Sequence, residues 1–284
     1  MKLTNLLVAF ALISFTVGLN ACKKTNIPTT TDEFETTFEL SGDQAITDNL
    51  IEDANDILNE TALGKNFAGT RTSDQTQTSQ TNHLLSCATV TVTPSLGFPK
   101  NIVVDFGTGC TSLNGISRKG KILISISDSL RKSGSIAVMT FDGYYVNNFK
   151  KEGTITWTNT STPVSKSWQR KCENGKITAP DGRYWLHSGT KNIVLVAGVD
   201  TPNLLDDVYS ITGGHTVTNA AGNTRTSTIT EALEKKVDCE NIDKGKVKIQ
   251  GPNHYAILDY GDGTCDRVAT ISIDGRVPRT ILLR

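Results

Sequence analysis

Neither sign of charge predominates in this 284-residue sequence: Lys and Arg together number 29, as do Asp and Glu. That balance gives no global field favouring nucleic acid or an acidic surface. Beyond the N-terminus, no apolar run approaches the roughly 20 residues a membrane-spanning helix needs. Signatures of chemistry are missing too. There is no G-x-S-x-G elbow, phosphate-binding loop or dinucleotide fingerprint. His83, His187, His215 and His254 are scattered, with no HExxH and no second histidine at ligand spacing. Nothing here implies a cofactor.

What is present begins with MKLTNLLVAFALISFTVGLNAC. One positive charge, Lys2, precedes an apolar stretch from Leu6 to Val17 and then small or neutral residues, the order of a secretory signal. Leu19-Asn20-Ala21-Cys22 resembles the lipobox of bacterial lipoproteins. The resemblance implies removal of residues 1–21, a diacylglycerol on Cys22 and an acylated new amine. At about 0.8 kcal/mol per buried methylene, several acyl chains anchor essentially permanently. The lipid bilayer is then the first partner, held through acylated Cys22.

After the cysteine, residues 22–40 are polar and Thr-rich and read as a flexible tether. In 41–64, Ile46, Leu50, Ile51, Ala54, Ile57 and Leu58 recur at helical spacing. Ser41 and Gln44 fit a capping box, and Gly64 a stop, so one short amphipathic helix is expected. Residues 65–83 form a polar linker without apolar periodicity.

From residue 84 to 284 the pattern turns to strands. Thr, Ser, Gly, Val and Ile are abundant, and only 8 prolines interrupt them, a balance that favours short strands and tight turns. ATVTVTP, KNIVVDF, GKILISIS, GSIAVMTF, GTITWTNT, KNIVLVAG and YAILDY are β-branched or alternating. Asn114-Gly115, Asp142-Gly143, Asn174-Gly175, Asp181-Gly182 and Asp274-Gly275 read as hairpin turns. The expected fold is mainly β. It is an antiparallel meander folded into a sandwich, an open half-barrel or an elongated sheet.

The body repeats itself. Val104-Asp105-Phe106-Gly107-Thr108-Gly109-Cys110 recurs as Leu258-Asp259-Tyr260-Gly261-Asp262-Gly263-Thr264-Cys265, and Ile116 aligns with Ile271 at the same offset. Two halves, about 84–165 and 166–284, are the economical explanation. Each would carry its own disulfide, Cys87–Cys110 and Cys239–Cys265, although spacing alone leaves other connectivities open. Under this scheme Cys172 is unpaired.

The lipobox and the DFGTGC and DYGDGTCD motifs together resemble a group of lipoproteins of Bacteroidetes-type bacteria with no established activity. In such bacteria, acidic residues soon after the lipidated cysteine resemble a surface-export signal. Here Lys23 and Lys24 follow Cys22, and the first acid is Asp32. The resemblance therefore implies an outer-membrane protein facing the periplasm.

Candidate chemistry is sparse. Asp259, Asp262 and Asp266 gather carboxylates around glycines, as calcium requires, yet without EF-hand spacing. A capped turn explains them equally. Trp157, Trp168, Trp185 and Tyr184 cluster in the middle third and would either stack on a sugar or fill the core. Asp206-Asp207 before Tyr209 could be paired acids or a solvated turn. Cys172, between Arg170-Lys171 and Glu173, has cations that would lower its pKa. The expectation is a non-enzymatic binding or structural module with a glycan or envelope-protein partner. The alternatives are a glycan- or peptide-acting hydrolase and a lipid-binding half-barrel.

Overall fold

The computed structural model describes residues 30–68, 84–201 and 205–283. The export signal, Cys22 and most of the linker in 65–83 lie outside the described residues.

Among the described residues, fourteen strands follow one helix. Helix α1 is Thr30–Gly64. The first strands are β1 (Thr89–Thr93), β2 (Lys100–Asp105), β3 (Cys110–Thr111), β4 (Ser117–Ile126), β5 (Ile136–Val146), β6 (Phe149–Asn159) and β7 (Ser167–Thr178). They continue as β8 (Tyr184–Ala197), β9 (Val208–Asn219), β10 (Thr224–Lys236), β11 (Lys244–Gln250), β12 (Tyr255–Asp262), β13 (Val268–Ile273) and β14 (Arg279–Leu282). All pair antiparallel in chain order, except that β2 pairs β4 directly and the two-residue β3 pairs only β4. The sheet is open, with β1 and β14 as its edges. It is continuous through the expected boundary between halves, since β6 pairs β7 across residues 165 and 166.

Two of the Gly dipeptides have a different job from the one expected. Asp142-Gly143 and Asn174-Gly175 lie inside β5 and β7, where the register slips, and not at hairpin ends. Positive φ serves a β-bulge as well as it serves a turn. Gly120, at φ +79°, sits so close to the Gly143 carbonyl that a Cβ there would lie 2.0 Å from its oxygen. Bulges of this kind bend strands and increase twist, and they occur here along the middle of the sheet. The sheet curls around α1.

The helix departs from expectation in both extent and character. It begins at Thr30, so 30–40 is helical instead of a tether, and Ser41 is no cap: its hydroxyl donates to the Thr37 carbonyl within the helix. Asp32 and Glu33 lie in the first turn, where the helix dipole favours acids. The chain leaves the helix at Gly64 through left-handed Asn66. Nor is α1 amphipathic. Thr37, Ser41, Asp43, Gln44, Asp48, Asn49, Glu52 and Asp53 are as buried as Leu50 and Ile57. Local propensity gave way to packing on every side.

Apolar packing is split by the helix. On one side Leu50, Ala54, Ile57 and Leu58 meet Ile102, Val104, Ile122, Met139 and Tyr144. On the other, Ala45 with Phe34 and Phe38 meets Ile211, Leu233, Val247, Leu258 and Ile271.

Both disulfides join the expected cysteines, Cys87–Cys110 with Cα atoms 6.1 Å apart and Cys239–Cys265 with 5.6 Å. Each ties the chain before one strand (β1 or β11) to the turn after the next (β2 or β12). The strand register amends the alignment beyond the cysteines. Val104 pairs with Ile122 and Leu258 pairs with Ile271, so the equivalent of Ile271 is Ile122 and not Ile116. The intervening residues of the first unit form β3 and its tight turn at Asn114-Gly115.

Candidate functional site

The chemistry of this chain is concentrated where sheet meets helix. On a helix Glu52 and Asp53 point about 100° apart, and Asp56, one turn on, lies in the sector between them, so the three acids form one cluster that reaches several strands. Glu52 receives Arg170 of β7 in a two-pronged pair, Nη2 to Oε1 at 2.5 Å and Nη1 to Oε2 at 3.0 Å. Asp53 receives Arg118 of β4 at 2.5 and 3.3 Å and the Tyr144 hydroxyl of β5 at 3.4 Å. Asp56 pairs with Lys235 of β10 at 3.1 Å.

The ladder continues towards the helix N-terminus. Asp48 holds Lys191 of β8 and accepts the Tyr260 hydroxyl of β12 at 3.1 Å. Asp43 takes Arg183, from the turn before β8, at 2.7 Å. Glu33 accepts the Asn253 backbone N–H at 2.8 Å and lies 3.9 Å from Arg225 of β10. Neutral groups fill the gaps. The Trp185 indole donates to Thr47 at 2.8 Å, and Asn49 accepts the Ile242 N–H at 3.1 Å. Burial raises the Asp43 and Asp56 carboxyls to about 6 despite their cations.

Two histidines stack inside this layer. His187 of β8 and His215 of β9 have ring centroids 5.2 Å apart, with Nδ1 of the first 3.0 Å from Nε2 of the second. Glycine makes the room: a Cβ on Gly175 or Gly189 would fall 2.3 Å from one or other ring nitrogen. Burial, reinforced by Lys151 and Lys191, holds both imidazoles well below their usual range.

Cys172 faces the same interior from β7. Arg170, Lys151 and Lys191 pull its pKa down, as its sequence neighbours suggested, but burial outweighs them and pushes the thiol up. The native thiol is therefore expected to resist Ellman's reagent and to react rapidly once urea exposes it. Prompt stoichiometric labelling of the folded protein would contradict this.

The remaining sequence candidates disperse. Trp157 and Trp185 point inward and are buried, Trp168 is half-buried against Tyr209, and Tyr184 lies on the outer face beneath Lys176. Strand alternation thus divides the four aromatics between two faces. Asp206 is exposed and accepts the Thr201 hydroxyl at 2.9 Å, whereas Asp207 is buried, so the pair does not converge. Asp259, Asp262 and Asp266 each accept a backbone N–H two residues ahead, at 3.0, 3.1 and 2.8 Å. Asp105 does the same for Gly107 at 2.8 Å in the sister loop. These are turn caps, and among the described residues no three His, Cys, Asp or Glu side chains are grouped as a metal site would require.

Sequence reasoning missed Lys119 and Lys150, which with Tyr145 line a shallow depression of about 470 Å³ on the outer face together with Asn148, Thr178 and Pro180. Their shared face follows from register, which no single strand's pattern reveals. No family model, curated protein or solved structure matches this chain.

Proposed function

We propose that this chain is a lipid-anchored module of the bacterial envelope that acts by binding or bracing and not by turnover. One observation carries the reading: the concave side of the sheet, where a half-barrel would hold a lipid, is filled by α1, whose acids are already paired with inward-facing cations. A permanently occupied interior leaves the outer face and the edges for recognition. The second support is the lipobox-like Leu19-Asn20-Ala21-Cys22 at the end of the apolar leader. From Cys22 the eight residues to Thr30 reach at most about 28 Å, so the helix N-terminus would be held near the bilayer. The Lys23-Lys24 pair favours the periplasmic face of the outer membrane.

The anchor has a direct test. Wild-type protein is expected in the membrane fraction and in the detergent phase of a Triton X-114 partition. Cys22→Ser is expected in the aqueous phase. Equal partitioning of the two would remove the anchor from the proposal.

A further inference from the structure

The geometry points to an anionic-saccharide site in the depression around Tyr145. Its construction follows from the register. Lys119 of β4 lies opposite Tyr145 of β5, Tyr145 opposite Lys150 of β6, Lys150 opposite Thr178 of β7, and Thr178 opposite Tyr184 of β8. Cross-strand partners project from the same face, so these five side chains form one row across five strands. Inward neighbours such as Arg118, Lys151 and Trp185 are committed to the interior, which leaves the row free to face solvent.

Cations lie beside the aromatic rings of the row. The Lys119 ammonium lies 4.0 Å from the Tyr145 ring centroid, and the Lys176 ammonium lies 4.6 Å from that of Tyr184. A lysine held over a ring has surrendered part of its rotamer freedom before any ligand arrives. Lys150 is likewise placed, bound to Glu152 at 3.0 Å. From β5 to β8 is three strand spacings, about 14 Å, enough for an oligosaccharide and more than one sugar ring needs.

The lining selects the ligand class. Lys119 and Lys150 supply positive charge, and no acid lines the depression. Of the nearby carboxylates, Asp181 is engaged by the Arg183 backbone N–H at 2.9 Å, and Glu152 holds Lys150 in an exposed pair that a ligand carboxylate would replace. Pro180 and the Tyr145 ring offer apolar surface to a pyranose face, while Asn148 and Thr178 carry groups suited to sugar hydroxyls. A uronate-type saccharide satisfies all three demands: charge for the lysines, a flat apolar face for the rings, hydroxyls for the amide and alcohol.

This inference rests on reading the chain as a binding module, and its test is independent of anchoring. Detergent-solubilised full-length protein would be titrated calorimetrically with an oligogalacturonate, a neutral malto-oligosaccharide of equal length and inorganic polyphosphate. The uronate is expected to bind, more weakly as salt is added, and the neutral sugar to give no signal. Lys119→Gln and Lys150→Gln should each raise Kd about tenfold, the effect of losing one charge-assisted contact. Tyr145→Leu should weaken the uronate but not polyphosphate. Lys171→Gln, elsewhere on the exposed side of β7, is the control and should bind normally. Far-UV circular dichroism would verify that each variant is folded. No uronate binding, unchanged affinity in both lysine variants, or polyphosphate binding as tight as the uronate would overturn the assignment. Any of these would leave the Cys22 partition result standing.

Discussion

Glu52→Leu is expected to lower the unfolding free energy by about 3–5 kcal/mol, whereas Glu52→Leu combined with Arg170→Met should recover most of the loss. The two side chains are 2% and 1% exposed, and the guanidinium lies in β7 facing the centre of α1. Removing the carboxylate alone strands a buried cation whose desolvation is no longer offset. Arginine cannot escape by losing its proton. Removing both charges and inserting apolar groups of similar volume removes the desolvation cost together with the attraction, which is why the double change is mild. Loss of Glu52 also withdraws a negative charge that helps push up the Asp56 carboxyl. Urea unfolding followed by tryptophan fluorescence would report both variants. A double variant as unstable as the single would show that the pair is not the unit of stability. The exposed Lys171–Glu173 pair, 55% and 47% accessible, provides the contrast, because such surface pairs contribute about 0–1 kcal/mol.

The same buried charges explain which parts of the fold were legible. Strands β2, β4 and β5 alternate Val, Ile or Met inward, and the sequence reads accordingly. Strand β7 turns Arg170 and Cys172 inward, and β10 turns Arg225, Ser227 and Lys235 inward, so their apolar alternation vanishes although the backbone is regular. Neither was among the strands expected. The helix was legible over 41–64, but its first turns from Thr30 and its buried polar face were not, for a related reason. Asp43, Asp48, Glu52 and Asp53 mark a solvated face in an ordinary amphipathic helix, and only their partners on three strands and one turn reveal that this face is interior. Cysteine spacing and the Asp-aromatic-Gly repeat were readable because they are local. The alignment beyond the cysteines was not, because the β3 hairpin is present in one unit only. The Lys119–Tyr145–Lys150 row is a property of register, which depends on bulges at Gly120/Gly143 and Gly153, and bulges do not declare themselves in one sequence.

Acidification should destabilise the fold from about pH 6.5 downward, and the histidine pair should be the cause. A neutral pair needs one ring nitrogen to donate and the other to accept, an arrangement that protonation destroys. The new charge would also face Lys151 of β6, Arg170 of β7 and Lys191 of β8, while Glu52 and Asp48 of the helix are already taken by Arg170 and Lys191. Both imidazoles are held well below 6.5 in the folded state by burial and by these cations. Below pH 6.5 the unfolded chain therefore binds protons that the folded chain refuses, and stability falls as pH falls. Each histidine that stays neutral in the folded chain contributes a slope of up to about 1.4 kcal/mol per pH unit. Asp43 and Asp56 act in the opposite direction. Their folded values of about 6 exceed 3.8, so below pH 6 the folded chain takes up protons first and gains stability. The wild-type profile should thus descend just below pH 6.5 and flatten below 6. With His187→Gln and His215→Gln together, the descent should disappear and stability should rise from pH 6 towards 4.5. If the double variant does not fold, either single substitution should remove about half of the slope. Parallel pH profiles for wild type and variants would show that the acid response originates elsewhere.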